Sequence, residues 1–427
     1  MTLSHRQRLL NILSGSVGNL VEYFDWAIYA AFALYFAPAF FPASDQTAQL
    51  LNNAAIFAVG FVFRPLGGWL LGMLADRKGR KSALLLSVSL MCLGSLIIAC
   101  TPGYAVIGGW APALLLFARM LQGFSIGGEY GSSATYLSEM ASPQRRGYYS
   151  SFQYVTIVLG QILALGLLML LQKCWLDAQL HDWGWRIGFI VGGLLAIVAM
   201  GLRTNMAETS AFVEQHTYPS QHANLRELRH YPKQVFTVVA LTAGGTLSYY
   251  TFTVYMQKFL VNTSGFSKDD ATFICTLALI VFMLAQPVMG LISDYIGRRW
   301  LLIGFGAFAT VFTAPLLAQL SQPQSMATAL FWYICALLIV SCYSSVNAIV
   351  KAELFPVHIR ALGVGFPYAL TVALFGGSAE YLALWTKTAG HPEWFAWYVS
   401  ACAALSLIVA IRMQEPMQMS RLDDDSI

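Results

Sequence analysis

The sequence predicts an all-α membrane protein of twelve transmembrane helices, arranged as two six-helix pseudo-symmetric halves. Three observations carry this prediction. Hydrophobic residues make up 57% of the 427 and charged residues 11%, with a mean hydropathy of +0.60, whereas a globular domain is about a quarter charged. Twelve apolar segments approach the ~20 residues that a helix needs to cross hydrocarbon. Finally, Gly72-Met73-Leu74-Ala75-Asp76-Arg77-Lys78-Gly79-Arg80-Lys81 returns as Gly290-Leu291-Ile292-Ser293-Asp294-Tyr295-Ile296-Gly297-Arg298-Arg299. The shared form G-x-x-x-D-x-x-G-R-(R/K) recurs at one offset, so the chain reads as two copies of one membrane unit.

In chain order the segments are 16–40, 53–75, 82–101, 112–138, 149–172, 185–204, 234–260, 270–293, 300–319, 328–350, 362–385 and 394–412. Before the first, Leu3 to Ser14 has the pattern of an amphipathic helix lying on the membrane surface. No cationic leader with a short apolar core and cleavage site opens the chain, so Met1 to Gly15 reads as a retained tail. The repeated decapeptides are the tight loops between segments 2 and 3 and between 8 and 9. Residues 205–233 form the one long polar connection. The expected division is therefore 1–204, a linker 205–233, 234–412, and a tail 413–427.

Placing both termini in the cytoplasm assigns most basic residues to inner loops, as the positive-inside rule requires. These are Arg6 and Arg8; Arg77, Lys78, Arg80 and Lys81; Arg145 and Arg146; Arg203, Arg226, Arg229 and Lys233; Arg298 and Arg299; Lys351 and Arg360; and Arg412 and Arg421. The net charge of +4 implies no nucleic-acid partner, because the cations sit in short loops and not on one face. The seven cysteines have no CxxC or metal spacing and read as packing residues. No metal or cofactor is expected, and the lipid bilayer is the expected surrounding.

A second repeat supports the duplication. Segment 4 ends in Glu139-x-x-x-Pro143-x-x-Arg146-Gly147 and segment 10 in Glu353-x-x-Pro356-x-x-x-Arg360-x-x-Gly363. Each sets an acid at the helix end, a helix-stopping proline and then a base. Asp76, Arg80, Glu139, Asp294, Arg298 and Glu353 are expected to act as gating latches, since they lie in the cytoplasmic region and not at the midplane.

Charges inside the apolar segments are costly, about 2.5–3.5 kcal/mol each on insertion scales, and each is a functional candidate. They are Glu22, Asp25, Arg64, Arg119, Glu129, Lys258 and Glu380. Aligning the halves sets Glu22 opposite Ser248, Asp25 opposite Thr251, Arg64 opposite Phe282, Arg119 opposite Tyr333 and Glu129 opposite Tyr343. The first half thus holds the ionisable residues, and the second offers mostly neutral donors and aromatics. Glu22 and Asp25 share a helix face at i and i+3; their structural reading is an ion pair with Arg64 or Arg119. Glu129 lies among glycines that allow close helix packing, where it could simply satisfy a neighbouring helix.

The loop decapeptide, twice, resembles the signature of the major facilitator superfamily of secondary transporters. Gly18-Asn19-Leu20-Val21-Glu22-Tyr23-Phe24-Asp25, Arg64-Pro65-Leu66-Gly67-Gly68, Arg119-x-x-Gln122-Gly123-x-x-x-Gly127-Gly128-Glu129-Tyr130 and Glu208-Thr209-x-x-Phe212 are similar to its metabolite:proton symporter family. Tyr250-Thr251-Phe252-Thr253-x-Tyr255-Met256-Gln257-Lys258, Lys351-Ala352-Glu353-x-Phe355-Pro356 and Gly376-Gly377-Ser378-Ala379-Glu380-Tyr381 extend the likeness through the second half, towards carriers of organic acids.

The resemblance implies a monomeric proton-coupled symporter of a bacterial inner membrane. It would import a dicarboxylate, 2-oxoglutarate, by alternating access, with citrate or shikimate as alternatives. Substrate contacts are expected at Arg64 and Lys258, one cation per half, with Tyr249, Tyr250 and Tyr255. Lys258 lies near the outer end of its segment, where a lysine can instead snorkel to the interface. Proton coupling is expected at Glu22, Asp25, Arg119 and Glu129, with Asp25 favoured as carrier by its depth. No Ser-His pair or His/Cys/Asp cluster lies at one depth, which argues against an enzyme. The 205–233 linker is too short for a sensor's output domain.

Overall fold

The computed structural model describes residues 5–41, 46–204, 208, 212, 224–420 and 422, with side chains for all of these but 5–15, 34, 46–54, 268, 269, 384 and 388. Among the described residues, twelve long helices follow one another. In the first half these are α1 (His5–Phe40), α2 (Gln46–Lys78), α3 (Arg80–Cys100), α4 (Trp110–Met140), α5 (Arg146–Cys174) and α6 (Trp185–Thr204). In the second, α7 runs from Pro232–Tyr250 through a π turn at Thr251–Tyr255 into Met256–Asn262. After it come α8 (Lys268–Ile296), α9 (Arg298–Leu320), α10 (Met326–Glu353), α11 (Arg360–Thr371, a π turn at Val372–Gly376, then Gly377–Thr388) and α12 (Glu393–Arg412).

Ten of these are long and apolar enough to cross a membrane. The two more polar helices are α1 and α4, which carry Glu22, Asp25, Arg119 and Glu129. α1 is continuous from His5, so the expected surface helix and first segment are one element; Leu3 and Ser4 lie outside the described residues, as does most of 205–223. Several helices overrun their apolar segments at the decapeptide end, because the charged residues there find partners.

The decapeptide can be explained atom by atom. Gly79 and Gly297 have the same backbone, φ 99° and ψ 151°, a region essentially reserved for glycine. One residue therefore reverses the chain between α2 and α3, and again between α8 and α9. The carboxylate of Glu208 accepts from the backbone N–H of Lys81 at 3.1 Å, and that of Glu415 from the N–H groups of Arg298 and Arg299 at 2.9 and 3.1 Å. Each acid satisfies the open N-terminus of the next helix. Glu208 and Glu415 are thus a further repeated pair.

The halves meet where α11 packs on α2 and α4, and where α5 packs on α8 and α10. Glycines permit that approach. A Cβ on Gly72 would lie 3.0 Å from the Leu362 Cα, and one on Gly290 would lie 2.6 Å from the Gly147 carbonyl. The first glycine of each decapeptide therefore brings a helix of one half against a helix of the other.

Candidate functional site

Between the halves lies a cavity of about 10 Å³, lined by Asn19, Glu22, Tyr23, Arg64, Ile126, Gly127, Tyr130, Tyr368, Ala369 and Val372. That is room for about one water. Arg64 of α2 is 2% exposed, and its guanidinium stacks over Phe61 and Trp26 at 4.1 and 4.3 Å. Its Nη1 donates to the Tyr250 hydroxyl at 3.0 Å, while Nε and Nη2 have no partner among the described residues. Buried guanidinium donors left unfilled are costly. They form a seat for an anion, with the fork geometry that suits a carboxylate.

Glu22 lines the same cavity. Its Oε1 accepts from Ser125 Oγ at 2.5 Å and Ser87 Oγ at 2.8 Å, and among the described residues no cation pairs with it. Glu129, by contrast, is held by both terminal nitrogens of Arg203, Nη1 donating at 3.1 Å. Asp25 is buried within the first half and accepts from Ser95 and Gln122. Gln122 Oε1 accepts in turn from Arg119 Nη1 at 2.6 Å. Arg119 and Asp25 are therefore joined through an amide, with the guanidinium also over Trp26 and Tyr29 at 4.1 and 4.2 Å. Neither Asp25 nor Arg119 lines the cavity.

In the second half, Tyr250 reaches Arg64, and the Tyr249 hydroxyl accepts from Gln161 Nε2 at 3.3 Å. Tyr255 packs edge-on against Phe259 and Phe395, away from the cavity. Lys258 is not brought to the cavity either. Its ammonium pairs with Glu380 near the C-terminal end of α7, with the two side chains 52% and 36% exposed. The cation that approaches the cavity from this half is Lys351, 1% exposed, with its Nζ 4.2 Å from the Tyr368 ring centre and 5.3 Å from that of Tyr130.

Lys351, Arg203, Arg146 and Arg360 were assigned to loops by sequence, yet all four are buried. The helix α10 runs through Lys351 to Glu353, beyond the apolar run that ends at Val350.

At the decapeptide ends of the helices the expected latch residues meet. Asp76 accepts from the backbone N–H groups of Ala361 and Leu362, at 3.0 and 2.8 Å, at the N-terminus of α11. Asp294 does the same with Gly147 and Tyr148, at 2.8 and 3.0 Å, at the N-terminus of α5. Each aspartate crosses from one half to the other and meets the positive end of a helix dipole. Arg80 is 3.3 Å from Asp76 and 2.9 Å from Glu139, which Arg360 also reaches at 2.7 Å. Arg298 is 3.2 Å from Asp294 and 3.5 Å from Glu353. Two copies of one arrangement thus join the halves at the decapeptide end.

A model of the sugar (and other) transporter family matches residues 12–221 and 213–418. This chain belongs to that family of the major facilitator superfamily. It is 50% identical over 418 residues to the alpha-ketoglutarate permease of Escherichia coli K12, covering 98% of this chain and 96% of that one. It is 32% identical over 421 residues to the proline/betaine transporter of the same organism, covering 95% and 83%. The citrate-proton symporter of Salmonella typhi is 32% identical over 410 residues, covering 94% and 93%. Among solved structures, the proton:xylose symporter XylE bound to 6-bromo-6-deoxy-D-glucose superposes with a TM-score of 0.80 at 16% identity, covering 95% of each chain. The protein is a multi-pass membrane transporter and not an enzyme, with the fold expected from its sequence.

Proposed function

We propose that this protein imports 2-oxoglutarate with protons across a bacterial inner membrane, as a monomer with both termini in the cytoplasm, by rocking its two halves about the central cavity. The observation that carries the substrate reading is Arg64, a cavity-lining buried guanidinium with two unfilled donor nitrogens, in a chain 50% identical to an alpha-ketoglutarate permease. A carboxylate entering from outside takes the place of the Tyr250 hydroxyl and fills the guanidinium fork.

The proton reading follows from Glu22 lying in the same cavity. While ionised, Glu22 puts a negative charge in the cavity that the substrate anion must enter. Once protonated it no longer repels that anion, so proton and substrate favour each other reciprocally. The geometry moves the choice of carrier from Asp25, which is engaged through Gln122, to Glu22. The Asp76 and Asp294 latches hold the cytoplasmic side closed until both ligands are bound.

The test is ligand-dependent stability of purified protein. 2-Oxoglutarate should raise the Tm of the wild type and leave Arg64→Gln unshifted, since binding to the folded state alone stabilises it. An equal shift in both would remove Arg64 from the site, and a shift with citrate alone would replace the substrate.

A further inference from the structure

Lys351 occupies an environment that calls for an anion. It is the one cation of the second half, among the described buried residues, that has no carboxylate beside it: Arg298 pairs with Asp294 and Glu353, and Arg360 with Glu139. Its Nζ has no hydrogen-bond partner among the described residues and is held only by ring faces, those of Tyr368, Tyr130 and Tyr343 at 4.2, 5.3 and 6.0 Å. Cation–π attraction of this kind compensates a desolvated ammonium only in part. One turn earlier on α10, Asn347 donates to the hydroxyls of Tyr130 and Tyr154 at 2.5 and 3.0 Å and leaves its own Oδ1 unpartnered.

The rings covering Lys351 also wall the cavity that holds Arg64. Tyr130 of α4 and Tyr368 of α11 stack face to face, with centres 3.5 Å apart and planes 11° from parallel. Both line the cavity, which Lys351 itself does not. The stack joins the two halves, so it must part when the cytoplasmic ends separate.

We infer that Lys351 is a second anion site, which takes the other carboxylate of the substrate dianion once the Tyr130–Tyr368 stack has opened. This inference rests on the dicarboxylate reading. Arg64 alone gives a site for any carboxylate. A second cation, on the opposite half, would favour a diacid over a monoacid and tie the two halves to the same substrate molecule. The closed cavity, with room for one water, cannot admit that substrate, so the site exists only in a more open conformation.

The test is competition in proteoliposomes. Uptake of labelled 2-oxoglutarate is inhibited with unlabelled 2-oxoglutarate or with 2-oxopentanoate, its monoacid analogue of equal chain length. The wild type should prefer the diacid by at least about tenfold, the effect of one charge-assisted bond. Lys351→Met should bring the ratio of inhibition constants close to one, and Lys351→Arg should keep the preference. Asn347→Asp, which sets a carboxylate beside the ammonium at nearly constant volume, should also lower the ratio and serves if Lys351→Met does not insert. A diacid preference retained in either inserted variant overturns the inference. A purely structural lysine predicts that retention, since it would change the amount of folded protein and both inhibition constants alike. Absence of 2-oxoglutarate uptake by the wild type overturns the proposed function itself.

Discussion

Replacing Asp76 with asparagine removes one charge and one acceptor from the cross-half latch. In the wild type both carboxylate oxygens accept backbone N–H groups of α11, at 3.0 Å from Ala361 and 2.8 Å from Leu362. Asparagine can satisfy one of them, but its NH₂ then faces the other N–H donor. Losing a bond of this charged kind costs about 1.5–3 kcal/mol, and the attraction to the helix N-terminus falls as well. The bond joins the halves only while the cytoplasmic side is closed. The loss therefore shifts the inward-to-outward ratio, by about 10- to 150-fold. With the native cysteines replaced, a single cysteine at Ala369, in the cavity wall, reports this shift. In inverted vesicles, Asp76→Asn should speed its labelling by an impermeant maleimide at least tenfold. Wild-type labelling at normal protein abundance would refute the latch.

Two further outcomes follow from the site. Glu22→Gln should keep 2-oxoglutarate counterflow while losing accumulation driven by a proton gradient, measured in the same proteoliposomes; undiminished accumulation would return the carrier role to Asp25 or Glu129. Lys258→Gln should change the half-saturation for uptake by no more than about fivefold, because an exposed ion pair such as that with Glu380 is worth about 0.2–1 kcal/mol; abolished binding would bring Lys258 back into the substrate site.

Much of the architecture was legible because hydrocarbon imposes length and composition directly, and because the duplication exposes itself wherever two copies need the same backbone. Gly79 and Gly297 are the clearest instance: one φ of 99° at both loops explains why both copies retain glycine. The candidate site was less legible. Lys351 follows an apolar run and Arg203 closes one, so both read as loop cations; yet α10 continues past its run to Glu353, and both side chains are buried, where Tyr368 and Glu129 receive them. Partnership across helices is not written in spacing, so depth alone favours Asp25 over Glu22 on their shared helix face. Their neighbours on α3 and α4 are what separate them. Tyr255 follows five residues after Tyr250, across a π turn, and a fixed helical period cannot be carried through such a turn.

The most direct measurement is uptake of labelled 2-oxoglutarate into proteoliposomes holding the purified protein, with an inward proton gradient imposed by an acidic outside buffer. The account predicts transient accumulation above the outside concentration, abolished by a protonophore and absent in Arg64→Gln. Uptake that only equilibrates, and that ignores both the gradient and the protonophore, would contradict proton-coupled import.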